Sequence, residues 1–588
     1  MFGKRSDCIE PDKGISIKEF LHICLKRKYD FFFFVYITAF IPFFAFVDET
    51  IEPDLYFKIV VFSFGIAIQL FAVSLLFKQK VRCVFLSFCL LFTFIPNLII
   101  LSYLIMSRVF MIRNNFFVIY ESNVSESMEF IRSFVTWKVV LSVLLYFSMP
   151  VVYLIRSRKC NLKIFRICFF GKMCINYAYI LVFMIIFGSI PSFTNNLFIL
   201  DCVPSTSFYK NLYRYKDFIS FVNKFNDYKK NQNYRVTCHF PDSINKTFVI
   251  IIGESLSRNH MSIYGYSRET TPLLESKRKD LLIYRDVISP DVYTIACLKR
   301  ILTFATNFED SAFFTKPSLI ELFNSAGFKT YWIDNQGLIG DHESLFGVLA
   351  KQATHLTDLT EKSNFAYDEV VFPYLLEILN DKAVKNKAVF IHLMGNHTSY
   401  NQRYPKAFDK FGIIRTFNPT DVAQSASLPA LHRASRNVVT GSSMGRSLTS
   451  AQQKIINEYD NSVLYNDFIV SSIIDMVKKQ TDFSYVLYFS DHADELFEHD
   501  DFYGHSFSKT SKAMCQIPFI LWRSEQYKEF VKIPEETSRP YTTNGLIYGI
   551  SQLSGLEYED YDESKSIFSV SFKEAPRKVG DKLYDNLK

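Results

Sequence analysis

No internal repeat, no cleavable leader pattern and little net charge mark this chain. A balance of +7 over 588 residues gives no argument for a nucleic-acid partner. The lack of a small-residue cleavage site makes the first apolar run an expected uncleaved anchor. Cysteine is sparse where it could cross-link. Of 11 cysteines, those up to Cys174 lie in the apolar region or its flank and serve as small apolar residues. Cys202, Cys238, Cys297 and Cys515 lie beyond it. Cys202 and Cys238 flank the linker to the second half and could pair in an oxidising compartment.

What is abundant is apolar surface: 49% hydrophobic residues, with 61 Phe. It concentrates before about residue 192, and the remainder has the mixed texture of a water-soluble domain. At roughly 20 apolar residues per crossing, five spans are expected: Phe31–Val47, Phe57–Phe77, Val84–Met106, Val135–Ile155 and Ile175–Ile190. Lys26, Arg27 and Lys28 precede the first. Lys78, Lys80 and Arg82 fall in the second loop, and Arg156, Arg158, Lys159, Lys163, Arg166 and Lys172 in the fourth. The positive-inside rule puts these on the cytoplasmic side. The acidic first loop, Asp48 to Asp54, is then outside, and an odd number of spans puts everything after about Ser192 outside too. Residues 107–134 read either as an amphipathic helix on the outer leaflet or as a plain loop.

From Thr247 onward short apolar runs alternate with helical stretches. Strands are expected at Thr247–Ile252, Leu281–Tyr284, Phe328–Ile333, Ala388–His392, Ser484–Phe489 and Ile517–Trp522. Helices are expected at Ser318–Ala326, Glu369–Leu379 and Gln453–Lys479. The alternation predicts an α/β domain with a mostly parallel sheet. A period-free stretch from about 417 to 450 reads as a lid, a binding loop or disorder.

Ligands in such sheets bind beyond the carboxyl ends of strands. Three strand ends carry suitable groups: Glu254 after the first, His397 after Ala388–His392, and Asp491 with His492 after Ser484–Phe489. A lone Glu there is more often a cap, and a lone His more often structural. Asp next to His is a ligand pair suited to zinc, and three such ends on one rim predict a mononuclear or dinuclear metal site.

The order of these segments resembles a known family. Gly253-Glu254-Ser255, His260 through Pro272 (HMSIYGYSRETTP), Tyr293-Thr294-Ile295, Met394-Gly395-Asn396-His397, Tyr459 through Asp467, Asp491-His492 and Gly504-His505 are similar to the motifs of the phosphoethanolamine transferases. These are inner-membrane enzymes that decorate lipopolysaccharide, with an outer domain of the alkaline phosphatase/sulfatase fold. The resemblance implies an N-terminal five-helix transmembrane bundle (1–192), a connector (193–246) and a periplasmic sulfatase-like α/β domain (247–588). It implies zinc at Glu254, Asp491 and His492, with Thr294 as nucleophile facing the metal. It implies His397 and His505 around the phosphate, with room for a second zinc, and Asn335 as a looser phosphate contact. Phosphatidylethanolamine would be the donor and lipopolysaccharide the acceptor, with no nucleic-acid partner and a monomeric state. The motif variants look more like the branch acting on core sugars than that acting on lipid A, an argument by analogy.

Two neighbours carry weaker readings. Ser255 lies beside the first acidic position and not at the attacking one. Cys297 precedes Leu298-Lys299-Arg300 and so lacks the Cys/Ser-x-Pro-x-Arg pattern that sulfatases convert to formylglycine. A phosphoglycerol transferase acting on another surface glycan, and a non-catalytic membrane sensor or scaffold, are the alternatives.

Overall fold

The computed structural model describes, scattered single residues aside, 24–48, 51–75, 79–108, 135–159, 203–229, 234–337, 345–360, 367–412, 448–480 and 483–588. The chain divides into two units, residues 1–122 with 130–218 and residues 123–129 with 219–588.

The first unit is helical. Among the described residues four helices are long and apolar enough to cross a membrane: α1 (Lys28–Phe43), α2 (Pro53–Leu75), α3 (Gln79–Ser107) and α4 (Trp137–Lys159). The fifth expected span, Ile175–Ile190, the 107–134 loop for the most part and Cys202 lie outside the described residues. Arg82, read from sequence as a loop charge, stands instead in the first turn of α3 and is 3% exposed. Its guanidinium donates to both oxygens of the fully buried Asp30 on α1 at 2.8 and 2.7 Å. The Tyr153 hydroxyl on α4 donates to the same carboxylate at 2.5 Å. Arg27 donates to Ser74 O and Phe77 O at the end of α2, where the last carbonyls of a helix lack intrahelical donors. A paired buried charge and a capped terminus thus tie all four helices at one end.

The second unit is built on a seven-stranded sheet. In chain order its strands are β1 (Lys246–Gly253), β2 (Leu281–Ile283), β3 (Lys329–Asp334), β4 (His355–Asp358), β5 (Asn386–His392), β6 (Phe483–Ser490) and β7 (Phe519–Arg523), arranged β2-β7-β6-β1-β5-β3-β4. The central strands β1 and β6 are buried along all eight residues, as expected of strands covered on both faces. Phe248 stacks on Tyr485 across them, with ring centres 4.7 Å apart. The 31-residue helix α6 (Ser450–Gln480) buries Ile456, Val463, Ile469, Ile473 and Val477 in the same core cluster as Val249, Ile251, Val389 and Ile391.

Four neighbouring pairs in this sheet are parallel. Strand β7 runs antiparallel to both β6 and β2, so the sheet is mixed. The register is what matters for chemistry. Ile252 pairs with His392 on one side and Phe489 on the other, and Gly253 pairs with Ser490. Strands β1, β5 and β6 therefore end level, and the residues that follow them meet.

A candidate metal centre at three strand ends

Glu254 follows β1 directly and is fully buried. The next residue, Ser255, has φ of 56°, unusual for a non-glycine residue. This turn is held in place by its neighbours. Ser255 N–H donates to Asp491 Oδ1 at 3.2 Å, Leu256 N–H to Ser490 Oγ at 2.9 Å, and Ser257 N–H to the Tyr459 hydroxyl at 2.8 Å. From the other side Asn396 N–H donates to Glu254 O at 2.9 Å. Gly395 makes that approach possible: with φ of 51°, a Cβ there would stand 2.8 Å from Glu254 N and 2.9 Å from Glu254 O, so only glycine fits.

Asp491 and His492, both fully buried, leave β6 toward the same point. His492 Nε2 lies 3.3 Å from Glu254 Oε1 and 3.5 Å from Asp491 Oδ2. Thr294 begins the helix α5 (Thr294–Ile301). Its hydroxyl donates to Glu254 Oε2 at 3.0 Å and lies 3.5 Å from His492 Nε2. The four residues thus converge.

The donor set fits zinc. Tetrahedral ligands at about 2.0–2.2 Å from the ion stand roughly 3.3–3.6 Å from one another, and the separations of 3.3, 3.5 and 3.5 Å around His492 Nε2 match. Asp491 Oδ2 is buried without a hydrogen-bond partner among the described residues. The electrostatics also call for a cation. Burial and then the Glu254 charge push the Asp491 carboxyl up to about 7. Burial would raise Glu254 too, but the His492 imidazolium holds it well below the usual carboxylate range. Burial lowers His492, yet Asp491 and Glu254 outweigh it and carry the imidazole up to about 10. One imidazolium proton faces two carboxylates, the situation a divalent ion relieves.

The remaining expected residues surround this point. The His505 ring lies 4.3 Å from that of His492, and its Nδ1 is 2.7 Å from Asp494 Oδ1, which leaves Nε2 as the outward nitrogen. Asp494 also accepts the Tyr400 hydroxyl at 2.7 Å. His492, Asp494 and His505 form a second group with metal-ligand spacing. His397 is brought alongside by the Gly395 turn, and its Nδ1 is buried without a partner among the described residues. Burial pushes its imidazole down to about 4, so it presents a neutral ring.

Asn335, expected as a looser phosphate contact, directly follows β3. Its amide donates to Asp368 Oδ1 at 2.9 Å. Asp368 in turn accepts Met394 N–H and Gly395 N–H, so Asn335 braces the turn that carries His397. The residue that reaches the centre is Gln336, unremarked in the sequence, whose amide donates to Glu254 Oε2 at 2.8 Å. Its signal was present in Asp334, whose Oδ1 accepts Gln336 N–H and Gly337 N–H. That Asx-type turn swings Gln336 inward. Ser255 donates its hydroxyl to Glu254 Oε1 at 2.7 Å, and Cys297 is fully buried with its thiol donating to Asp291 O.

A seven-stranded mixed sheet with acidic and histidine side chains at its central strand ends defines an alkaline phosphatase-like hydrolase or transferase. The chain belongs to the sulfatase family, whose profile matches residues 246–556. Within that family its similarity is to the phosphoethanolamine transferases. It is 29% identical over 499 residues to phosphoethanolamine transferase EptC of Escherichia coli K12, covering 80% of each chain. It is likewise 29% identical over 499 residues to phosphoethanolamine transferase CptA of Salmonella typhimurium, again over 80% of each. Among solved structures, the C-terminal periplasmic domain of Escherichia coli EptC in complex with Zn aligns at a TM-score of 0.53 and 30% identity, over 60% of this chain and 96% of that one. The integral membrane phosphoethanolamine transferase EptA of Neisseria meningitidis aligns at a TM-score of 0.62 over 92% of this chain and 97% of that one; at 18% identity it speaks for the fold.

Proposed function

We propose that the protein is a zinc-dependent transferase that moves phosphoethanolamine from phosphatidylethanolamine to lipopolysaccharide through a phosphoethanolamine-threonine intermediate. The observation that carries this reading is the Thr294 hydroxyl, hydrogen-bonded to Glu254 Oε2 and 3.5 Å from His492 Nε2. A hydroxyl at the rim of a metal-ligand cluster is where a covalent mechanism needs its nucleophile.

Glu254, Asp491 and His492 would hold zinc, which supplies Lewis acidity that lowers the hydroxyl's pKa and offsets phosphate charge. The chain's own residues do the rest. Glu254 Oε2 orients the Thr294 hydroxyl and is placed to accept its proton. Thr294 Oγ1 forms the new bond to phosphorus, and the bond from phosphorus to the diacylglycerol oxygen breaks, that oxygen leaving with a proton. The first proton having left with diacylglycerol, the acceptor's O–H oxygen then displaces Thr294 from phosphorus, and the acceptor's proton passes by way of Glu254 to Thr294 Oγ1. His505, fixed by Asp494, and neutral His397 serve as hydrogen-bond partners of the phosphate oxygens. Gln336, sharing Glu254 Oε2 with Thr294, keeps that carboxylate turned to the hydroxyl.

The domain plan accompanying this function is a membrane region (1–192), a connector (193–246) and a catalytic domain (247–588) on the periplasmic face of the inner membrane, acting as a monomer. The number of zinc ions in this reading is one, with the His492, Asp494 and His505 group as the place for a second. The phosphoglycerol and scaffold alternatives are not favoured by any observation at the site. The test is peptide mass spectrometry on protein given labelled phosphatidylethanolamine and no acceptor. A phosphoethanolamine adduct on Thr294 is expected, retained in Ser255→Ala and absent in Thr294→Ala. Partial activity is expected in Thr294→Ser, which keeps the hydroxyl and loses the methyl that restricts χ1. An adduct on Ser255, or robust transfer by Thr294→Ala, would overturn the scheme.

A further inference from the structure

The segment from His260 to Pro272 carries the most distinctive motif of the chain, yet none of its side chains enters the chemistry above. Part of it is needed to fold. Thr270 Oγ1 donates to His260 O and accepts Ser262 N–H, while Thr271 Oγ1 accepts Ile263 N–H. These bonds pin the two ends of the motif together and leave Gly265 and Ser267 exposed, with Tyr264 and Tyr266 half-buried beside them.

There the surface forms a groove. Two adjoining hollows of about 410 and 210 Å³ share Tyr266 and Ser267. The larger is walled by Arg258, Arg285, Asn259 and Tyr264, with no carboxylate in its lining. Arg285 is exposed and makes no ion pair among the described residues, while its backbone is fixed by a bond from its N–H to Thr537 O at 2.7 Å. Arg258 is anchored through Nη1 to Val287 O at 2.8 Å, and its Nη2 stands 3.9 Å from Asp286 Oδ1, a carboxylate outside the lining. Gly265, at φ of 104°, has open space where a Cβ would stand. The smaller hollow includes Arg268, Glu269 and Glu275; Arg268 is paired with Asp460 and Glu275 with Arg278, which leaves Glu269 as the acid at that end.

The groove is near the chemistry. Arg258 follows Glu254 by four Cα steps of about 3.8 Å, so their Cα atoms are no more than roughly 15 Å apart. The intervening residues are pinned by the bonds to Ser490 and Tyr459.

We propose that this groove binds the acceptor of the transfer, a saccharide bearing phosphate, with the phosphate at Arg258 and Arg285 and a sugar ring along Tyr264 and Tyr266. Guanidinium groups match phosphate geometry with paired N–H donors. The phenol rings, whose hydroxyls are bonded to Phe519 O and Asp460 Oδ2, offer a sugar their apolar faces, and the Ser267 hydroxyl and the Glu269 carboxylate suit neutral sugar hydroxyls. The inference rests on the transferase reading and names the surface that reading lacks.

The test uses the full-length protein in detergent, labelled phosphatidylethanolamine as donor and purified lipopolysaccharide as acceptor. In Arg285→Glu, adduct formation on Thr294 with donor alone is expected to be unchanged, while KM for lipopolysaccharide rises about tenfold or more, the scale of a lost charge-assisted contact. Arg285→Lys is expected to keep most of the affinity. With enzymatically dephosphorylated lipopolysaccharide, the wild type is expected to show the same rise and Arg285→Glu to add nothing further, which identifies the partner of Arg285 as a sugar phosphate. A KM within about twofold of wild type in Arg285→Glu would overturn the proposal. So would adduct formation falling in step with transfer, since the site would then serve the donor's headgroup. A wild type that forms neither adduct nor product would overturn the transferase reading itself.

Discussion

Asp491 enters the centre with its two oxygens already assigned. Oδ1 accepts the N–H groups of Ser255 and His492 at 3.2 and 2.7 Å, while Oδ2 faces Glu254 and His492 without a hydrogen bond. Asp491→Asn keeps an acceptor for the two N–H groups and removes the anionic donor. It is expected to lower zinc affinity by more than the roughly 10–100-fold typical of residues behind the ligands, with the melting temperature of the zinc-free protein little changed. Competition with a chromogenic chelator and metal analysis read both, and full zinc occupancy in this variant would show that the site is misplaced. At this scale much was legible in the sequence. Glu254, Asp491 and His492 stand at the ends of strands whose apolar patterns are strong, so placing the strand placed the residue, whereas Thr294 begins a helix that no pattern marked and was named through the family resemblance alone. Asn335 and Gln336 were not separable, because both follow β3 and one turn decides which faces inward. That turn depends on a hydrogen bond from backbone to Asp334, which no periodicity reports.

Elements are joined here by charge as well as by packing. His260, 6% exposed, lies 2.7 Å from Asp460 on α6 and 3.4 Å from Glu498 in the segment leading to His505. The Arg268 guanidinium donates to Asp460 Oδ2 at 2.6 Å, and the Tyr266 hydroxyl donates to it at 3.0 Å. Burial alone would lower the His260 pKa, but Asp460 and Glu498 raise it from 6.5 to about 9. A raised folded-state pKa stabilises the fold below the unfolded value, and that contribution fades as pH rises through the folded value. Stability is therefore expected to fall between about pH 6.5 and 9 by roughly 3 kcal/mol at most. His260→Asn is expected to flatten this fall, as read by thermal unfolding across that range; a wild-type profile no steeper than the variant's would refute it. The strands and long helices of this unit matched expectation to within a few residues. The helix Ser318–Ala326 is present as Leu319–Ser325, capped by Ser318 and Glu321 in a capping box. The direction of β7 was not readable, because a buried apolar run looks the same in either orientation. The edge strand β4, His355-Leu356-Thr357-Asp358, has no fully buried residue and so carries no apolar signal.

Orientation of the whole molecule is the prediction that everything else depends on, since donor and acceptor lipids must meet the centre on one side. A periplasm-dependent reporter fused after Lys588 is expected to be active. Activity of a cytoplasm-dependent reporter at the same point would reverse the topology. The apolar helices before residue 160 were legible because span length follows from bilayer thickness. The Asp30–Arg82 pair was not, since a sequence window scores Arg82 as a flanking charge and cannot see a partner 52 positions away. That spacing has a consequence in time. During synthesis Asp30 is added before its counter-ion exists, and at about 5–20 residues per second the 52 additions from there to Arg82 take roughly 3–10 s. For that interval the first hairpin holds an acid whose partner has yet to be translated. The nascent helices must therefore wait, in water or against the insertion machinery, before the bundle can close.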